Sequence, residues 1–259
     1  MDKVLNIYKP CGMTPVQLIQ KLREIHPEYK DVKIGFAGRL DPLAHGVMLL
    51  TVGEENKNRQ KYLGLNKTYQ FSVLFGVSTD SYDYLGLPES LEIGDVPVDL
   101  EKKIEQFIKQ NKGEFFQPYP PFSSKTIDGM QMFKLAKKNK LEGKDIPVKE
   151  VEIFNFKLFA TEVVSALRIR ALVLGNLKKI TGHFRQKETI SRWKELLELN
   201  PGKNFTLVHF KIECSSGTYV RSLANKMGGE FNCGAIAFEI YRIKVGSFDI
   251  KDSLIITSD

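Results

Sequence analysis

The chain has 259 residues, of which 42% are hydrophobic and 27% charged, a balance typical of a globular protein with a sizeable core. No apolar run approaches the roughly 20 residues that a membrane-spanning helix needs, and the N-terminus lacks an apolar signal segment, so we expect a cytoplasmic protein without membrane contact. The formal charge of +7 favours a polyanionic partner such as a nucleic acid.

Cysteines and histidines are few and scattered. The three cysteines form no C-x-x-C pair, and the four histidines show no H-x-x-x-H spacing. We therefore expect isolated thiols that pack as small hydrophobes, and no protein-bound metal. Glycine-rich phosphate loops and the G-x-S-x-G signature are also missing, which argues against nucleotide cofactors and serine hydrolysis.

The first predicted element is a helix at residues 14–25. Thr14 can cap it, Pro15 suits the first helical position, and Gln17 completes a capping box. Residues 30–53 are rich in glycine, which is typical of functional loops between short buried elements.

Later elements follow from hydrophobic periodicity and from proline and glycine positions. They are a strand at 67–76, a helix at 99–110 capped by Asp99, a helix after Asp128, a strand at 150–160, helices at 164–179 and 188–199, a strand at 205–214, and a helix opened by Ser215-Ser216-Gly217-Thr218 and ending at Gly228-Gly229. Prolines exclude a helix or central strand at 115–122.

Strands and helices are interspersed without a regular βαβ rhythm, which favours an α+β fold over a doubly wound sheet. No period of 20–50 residues recurs, so a solenoid is not expected. Residues 161–204 differ in character from their surroundings. We interpret the chain as a single domain, 1–259, with a helical insertion at 161–204.

The most unusual segment is GFAGRLDPLAHG, residues 35–46. Pro42 biases Asp41 towards an extended backbone, and the flanking glycines allow a ligand to approach the main chain closely. A carboxylate on such a loop can serve as nucleophile or general base. From these residues alone, a turn-forming Asp-Pro pair without a catalytic role is the favoured interpretation.

The segment resembles the signature of the TruB family of tRNA pseudouridine synthases, G-H-x-G-T/A-L-D-P-x-A-x-G, whose aspartate is essential for catalysis. Five further segments resemble family motifs in the family's order. They are NIYKPCGMT (6–14), KTY (67–69), GVSTDSYD (76–83), QPYPPFSSK (117–125) and CSSGTYVRSL (214–223). Together the matches cover most of residues 4–160 and 205–250.

This resemblance implies the pseudouridine synthase fold, a mixed and mostly antiparallel sheet with flanking helices and a cleft across its face. It implies isomerisation of uridine to pseudouridine without a cofactor, in the T-arm of tRNA at position 55. It also implies a monomer. Many relatives carry a C-terminal RNA-binding domain of the PUA type, and we expect none here because the chain ends soon after Phe248.

By the same resemblance, Asp41 is the nucleophile, or the base in a glycal route, that breaks the bond between ribose C1′ and uracil N1. Arg221 pairs with Asp41, since a nearby positive charge favours a carboxylate. Tyr69 stacks on the flipped uracil, and its hydroxyl assists proton removal from C5. Leu223 lines the apolar pocket around the base. Without the family resemblance, other interpretations of these three residues are favoured. Arg221 would be a solvated arginine, Tyr69 a packed tyrosine, and Leu223 a residue that simply packs its helix.

Three lysines in the motif segments are expected to contact RNA phosphates: Lys9, Lys67 and Lys125. Phe36 stands where the family has histidine, and we hypothesise that it still wedges into the RNA loop. The insertion is expected to help bind tRNA through five residues, although a hairpin packed on the body is an equal alternative. These residues are His183, Arg185, Lys187, Arg192 and Trp193.

Two other functions stay open at this point. A non-catalytic RNA-binding or tRNA-folding protein could retain the same scaffold, although it would not need Asp41, Arg221 and Tyr69 together. A nucleoside hydrolase or glycosylase could use the same carboxylate and let water finish the reaction, in which case free uracil would be released.

Overall fold

The computed structural model describes residues 3–256 and builds them around one large mixed sheet. The strands are β1 Lys3–Lys9, β2 Ile34–Ala37, β3 His45–Val52, β4 Lys67–Phe75, β5 Gly113–Pro118, β6 Thr126–Ile127, β7 Met130–Gln131, β8 Val148–Ser165, β9 Asn204–Cys214, β10 Ala235–Val245, β11 Phe248–Asp249 and β12 Leu254–Ile255. The helices are α1 Pro15–Ile25, α2 Arg59–Leu63, α3 Leu100–Gln110, α4 Met132–Ala136, α5 Ala166–Leu177, α6 Gln186–Leu199 and α7 Val220–Glu230.

The main sheet has the strand order β12-β1-β3-β10-β4-β9-β8-β5, with β2 added to β3 and β11 to β10. Among the strands of residues 3–256, only the β1–β12 and β3–β10 pairs are parallel. This mixed, mostly antiparallel sheet with flanking helices confirms the predicted fold class. None of the helices among residues 3–256 combines the length and apolar content needed to cross a bilayer.

The main core lies between the sheet and helices α1, α3 and α7. Strand β4 is central because Tyr69, Phe71, Val73 and Phe75 all project into this core, as the alternation predicted. Each fully buried large apolar side chain contributes about 1.5–3 kcal/mol relative to exposure. Helices α1, α3 and α7 therefore share one core with strand β4.

Helix α1 confirms the predicted start in detail. Thr14 occupies the N-cap, its hydroxyl accepts from the Gln17 amide at 3.3 Å, and the Gln17 side chain accepts from the Thr14 amide at 2.7 Å. Both bonds satisfy amide groups that the first helical turn leaves without partners.

Residues 161–204 contain the ends of β8 and β9 and the helical hairpin α5–α6, so the two helices predicted there are confirmed. The hairpin packs against the body through a second core that contains Trp193, Leu43 and Tyr84. Trp193 is completely buried, and its indole nitrogen donates to the Tyr84 carbonyl at 3.1 Å.

Some boundaries differ from the prediction. Helix α7 begins at Val220, because residues 215–218 form a turn in which the Thr218 hydroxyl donates to the Ser215 carbonyl. Asp99 occupies the N-cap of α3, but its side chain accepts no capping hydrogen bond. The proline-rich segment contributes only the edge strand β5, which agrees with the exclusion of a central strand.

Candidate active site

Asp41 lies in the loop between β2 and β3, and its side chain is 36% exposed. The backbone around it is anchored on two sides. The Gly12 amide donates to the Pro42 carbonyl at 2.8 Å, on the side of β1. On the side of β10, Gly46 has φ +110, and a Cβ there would collide with the carbonyl of Arg242, so only glycine fits.

Arg221 is the residue that joins the loops of the site. It extends from the start of α7 and is only 3% exposed, and its Nε donates to Asp41 Oδ2 at 2.7 Å. Its Nη1 donates to the Ser81 carbonyl at 2.6 Å, and its Nη2 to the Phe122 carbonyl at 3.3 Å. Burial by itself would lower the pKa of Arg221, yet the carboxylates of Asp41 and Asp83 raise it. The structure thus brings the predicted pair together and buries the arginine.

A second carboxylate, Asp83, lies beside this pair with its Oδ2 3.7 Å from Arg221 Nε. The Ser81 hydroxyl donates to Asp83 Oδ1 at 2.6 Å, and the Leu85 amide donates to the same oxygen at 3.0 Å. Burial raises the pKa of Asp83 to about 6, against the opposing charge of Arg221. Asp83 was not assigned a role from the sequence, although it closes a motif segment that the sequence singled out.

Tyr69 lies on β4 opposite Arg242 of β10 and is 8% exposed. Burial raises the pKa of its hydroxyl. Leu223 is completely buried in the main core, so its side chain does not form the surface of the cleft, contrary to the expected pocket-lining role. The half-buried Ile240, two residues before Arg242 and paired with Phe71, supplies an apolar side chain on the same sheet face as Tyr69.

Two of the three lysines expected to contact RNA point into the protein. Lys9 is completely buried, and its ammonium donates to the Met13 carbonyl at 2.7 Å. Lys67 is 5% exposed and donates to the Leu63 carbonyl at 2.7 Å. Burial lowers the pKa of both lysines to about 8. This placement argues against direct phosphate contacts, because each ammonium group already binds backbone oxygens inside the fold.

Lys125 and Phe36, which are also expected to contact RNA, lie at the surface. Lys125 is exposed, with its ammonium 5.3 Å from the centre of the Tyr119 ring. Phe36, on β2, is half-buried against the main core, and the guanidinium of Arg39 lies 5.5 Å from the centre of its ring. Among residues 3–256, no three His, Cys, Asp or Glu side chains are grouped closely enough to hold a metal ion.

Comparison with known proteins identifies the family. The sequence profile described as "TruB family pseudouridylate synthase (N terminal domain)" matches residues 26–173. The chain belongs to the TruB family. The family resemblance inferred from the motif segments is thereby confirmed, and it extends well beyond them.

Two curated relatives of this TruB-family chain are named tRNA pseudouridine synthase B. The protein from Aquifex aeolicus is 30% identical over 254 residues, which cover 98% of this chain and 72% of that protein. The protein from Solibacter usitatus is 32% identical over 255 residues, which cover 98% of this chain and 70% of that protein. The likeness thus spans 98% of the TruB-family chain.

Solved structures support the fold. A Cbf5-Nop10-Gar1 complex matches 97% of this TruB-family chain with a TM-score of 0.59 and 20% identity. An archaeal box H/ACA sRNP Nop10-Cbf5 complex matches 98% with a TM-score of 0.56 and 18% identity. The TruB-family chain spans about half the length of these solved chains, 51% in each case. At such identities the likeness shows the shared fold alone.

Proposed function

We propose that this TruB-family protein isomerises uridine to pseudouridine in tRNA, with Asp41 as the catalytic carboxylate. The observation that carries the proposal is the contact of a partly exposed Asp41 with a fully buried Arg221 at 2.7 Å. A buried cation that leaves one side of its partner carboxylate open to the cleft suits a group that must react there. The names of the curated relatives support tRNA as the substrate.

In this reaction the carboxylate acts at the sugar of a uridine that has left its stack. Asp41 either attacks ribose C1′ or removes a sugar proton, and the bond from C1′ to uracil N1 breaks. The freed uracil rotates, and its C5 bonds to C1′ as the bond between Asp41 and C1′ breaks or, in the other route, as the sugar proton returns. The C5 proton is then lost while N1 regains one. Arg221 spans Asp41, Ser81 and Phe122, so the loops around the carboxylate keep their positions while the base turns. The reaction requires a site that keeps the loose base away from water.

Tyr69 and Ile240 are proposed to hold the uracil through ring and aliphatic contacts. The raised pKa of Tyr69 keeps its phenol protonated at neutral pH, so the structure supports stacking better than proton removal by the hydroxyl. Leu223, buried behind this surface, supports the wall rather than forming it.

We further propose that the target is the T-loop uridine at position 55, bound through the T-arm by a monomer in the cytoplasm. Extracting a uridine from its stack costs roughly a few kcal/mol, which contacts between exposed cations and RNA phosphates offset. Lys125 is such an exposed cation among the expected RNA contacts, and the net charge of +7 acts in the same direction.

Residues 161–204 are proposed to be an insertion within a single catalytic domain, 1–259. Of its expected RNA contacts, Trp193 is buried, Arg185 pairs with Asp80 at 2.8 Å, and Arg192 pairs with Glu195 at 3.0 Å. The buried Trp193 and the pair between Arg185 and Asp80, which lies outside the hairpin, favour the alternative in which the hairpin is packed on the body. His183 and Lys187 alone of the five keep exposed side chains for RNA.

The decisive experiment maps pseudouridine in an unmodified tRNA transcript after incubation with wild type, Asp41→Asn and a control, Asp31→Asn. Asp31 is an exposed aspartate, so the control makes the same chemical change at the surface. We expect product at the T-loop uridine with wild type and Asp31→Asn, and none with Asp41→Asn although tRNA still binds.

Other results would change the assignment. Tight binding without product in wild type would support the non-catalytic protein on the same scaffold. Release of free uracil would support a glycosylase, since an isomerase releases nothing. Normal product formation by Asp41→Asn would remove Asp41 from the mechanism.

A further inference from the structure

We infer that Arg39, seated on the ring of Phe36, binds a backbone phosphate of the RNA strand next to the target uridine. The inference rests on the proposed function, because the anion is supplied by the same RNA that brings uridine to Asp41. Arg39 precedes Asp41 by two residues in the same loop, and its side chain is exposed.

The backbone at Arg39 is fixed while its side chain faces solvent. Arg242, itself 1% exposed, donates to the Arg39 carbonyl at 3.1 Å and to the Gly38 carbonyl at 3.3 Å. Since the main chain is held from inside the protein, the position of the Arg39 Cα is set relative to Asp41. A ligand that contacts this side chain therefore lies at the surface near Asp41.

Phe36 fixes the side chain as well. Its ring packs on the main core, and the guanidinium of Arg39 lies 5.5 Å from the ring centre. A cation over an aromatic face at an exposed site gains about 0.5–1 kcal/mol, which orients the guanidinium without using its N–H groups. Those donors stay available to a planar or tetrahedral anion, and arginine binds phosphate well for this reason.

Arg39 differs from four other arginines because it has no carboxylate partner among the described residues. Arg170, Arg185 and Arg192 each pair with a carboxylate at the surface. Arg221 pairs with Asp41 inside the site. Within residues 3–256, by contrast, no carboxylate lies within ion-pair distance of Arg39, so none of the described carboxylates neutralises its charge.

The charge of Arg39 also affects the pKa of Tyr219. Burial raises the pKa of Tyr219 to about 12, and Asp41 raises it further, whereas Arg221 and Arg39 oppose the rise. Arg39 therefore lies near enough to Tyr219 for its charge to act on the phenol. A phosphodiester of the RNA strand is the anion that arrives there with the target nucleotide.

The test compares Arg39→Gln and Arg39→Lys with a charge-matched control, Lys157→Gln. Lys157 is exposed on the sheet face opposite Tyr69, where it lines a groove with Gln70 and Lys211. Binding of the tRNA transcript and the KM and kcat for pseudouridine formation are measured between low and high salt. Melting temperatures check that the variants fold.

For Arg39→Gln we expect roughly tenfold weaker tRNA binding, with the loss larger in KM than in kcat. The slope of log affinity against log salt should fall in magnitude by about 0.7, the value for one contact to a single strand. Arg39→Lys should keep this slope, because it keeps the charge, and should bind between wild type and Arg39→Gln.

Affinity and salt slope in Arg39→Gln equal to those of Lys157→Gln would overturn the inference, as would a loss confined to kcat. If wild type binds tRNA but forms no pseudouridine, the proposed function fails, and the salt slopes still decide whether Arg39 contacts phosphate. If wild type is active and Arg39→Gln matches the control, only the inference about Arg39 fails.

Discussion

Replacing Asp83 by asparagine should change how the stability of the protein depends on pH. The Asp83 side chain is 7% exposed, and burial raises its pKa to about 6 although Arg221 lies 3.7 Å away. In an unfolded chain an aspartate has a pKa near about 3.9, so the folded protein binds this proton more tightly. The group therefore stabilises the folded state fully below about pH 4, and this contribution is lost as the pH rises through about 6.

The size of the effect follows from the difference between the two pKa values. About two units at about 1.4 kcal/mol each give up to about 3 kcal/mol. Asparagine cannot ionise, and its side-chain oxygen can still accept from the Ser81 hydroxyl and the Leu85 amide. At about pH 4 the buried Asp83 is protonated, so wild type and variant make similar interactions there.

Urea denaturation at intervals between about pH 4 and pH 7 measures the free energy of unfolding of both proteins. The difference, Asp83→Asn minus wild type, should increase by up to about 3 kcal/mol over this range. A difference that stays constant, or that decreases with pH, would refute the reasoning. Carboxyl NMR of wild type provides a direct check, because the Asp83 signal should titrate near 6 and be missing from the variant.

Two further predictions concern Trp193 and Phe36. Trp193→Ala removes a completely buried ring and its hydrogen bond to the Tyr84 carbonyl. Urea denaturation should therefore show that the free energy of unfolding falls by about 3–5 kcal/mol. A decrease below about 1 kcal/mol would mean that the hairpin does not depend on this contact. Phe36→Ala should weaken tRNA affinity and slow turnover in filter-binding and product assays, because the ring lies at the surface beside Arg39. Wild-type affinity and turnover in that variant would remove Phe36 from the RNA interface.

Elements with local signals could be predicted from the sequence. The capping box of α1 depends on residues within a few positions of each other, and both of its hydrogen bonds are present. Alternation along β4 placed Tyr69 and Phe71 on one face because that face meets a continuous core. Hydrophobic periodicity likewise located α5 and α6.

Strand β10 was missed, and the reason lies in its pairing with β4. Register irregularities between Ala237 and Glu239, and between Arg242 and Lys244, interrupt the two-residue alternation. A period read along the sequence therefore breaks in the strand that supplies Ile240. The complete burial of Lys9 could not be predicted from the sequence either, because lysine is rarely buried and the carbonyls that accept from it come from a loop.

The pairing of Asp41 with Arg221 joins positions 180 residues apart, and no local pattern encodes it. The family resemblance alone predicted that these two residues pair. It did not distinguish the completely buried Leu223 from the half-buried Ile240, because burial depends on the packing of α7 against β10. It also left out Asp83, whose contact with Arg221 depends on the loop after β4.

Buried cations explain how this site keeps its loops in place. Arg242 holds carbonyls of the Asp41 loop, Lys9 holds carbonyls of the loop before α1, and Arg221 holds those of Ser81 and Phe122. Loop carbonyls lack the partners that a helix or sheet provides, and leaving them buried without a donor costs about 1–3 kcal/mol each. One long cationic side chain can satisfy two or more of them, and its charge also favours a nearby carboxylate. The same side chains thus fix the loop geometry and create a positive environment in which Asp41 can face an RNA substrate.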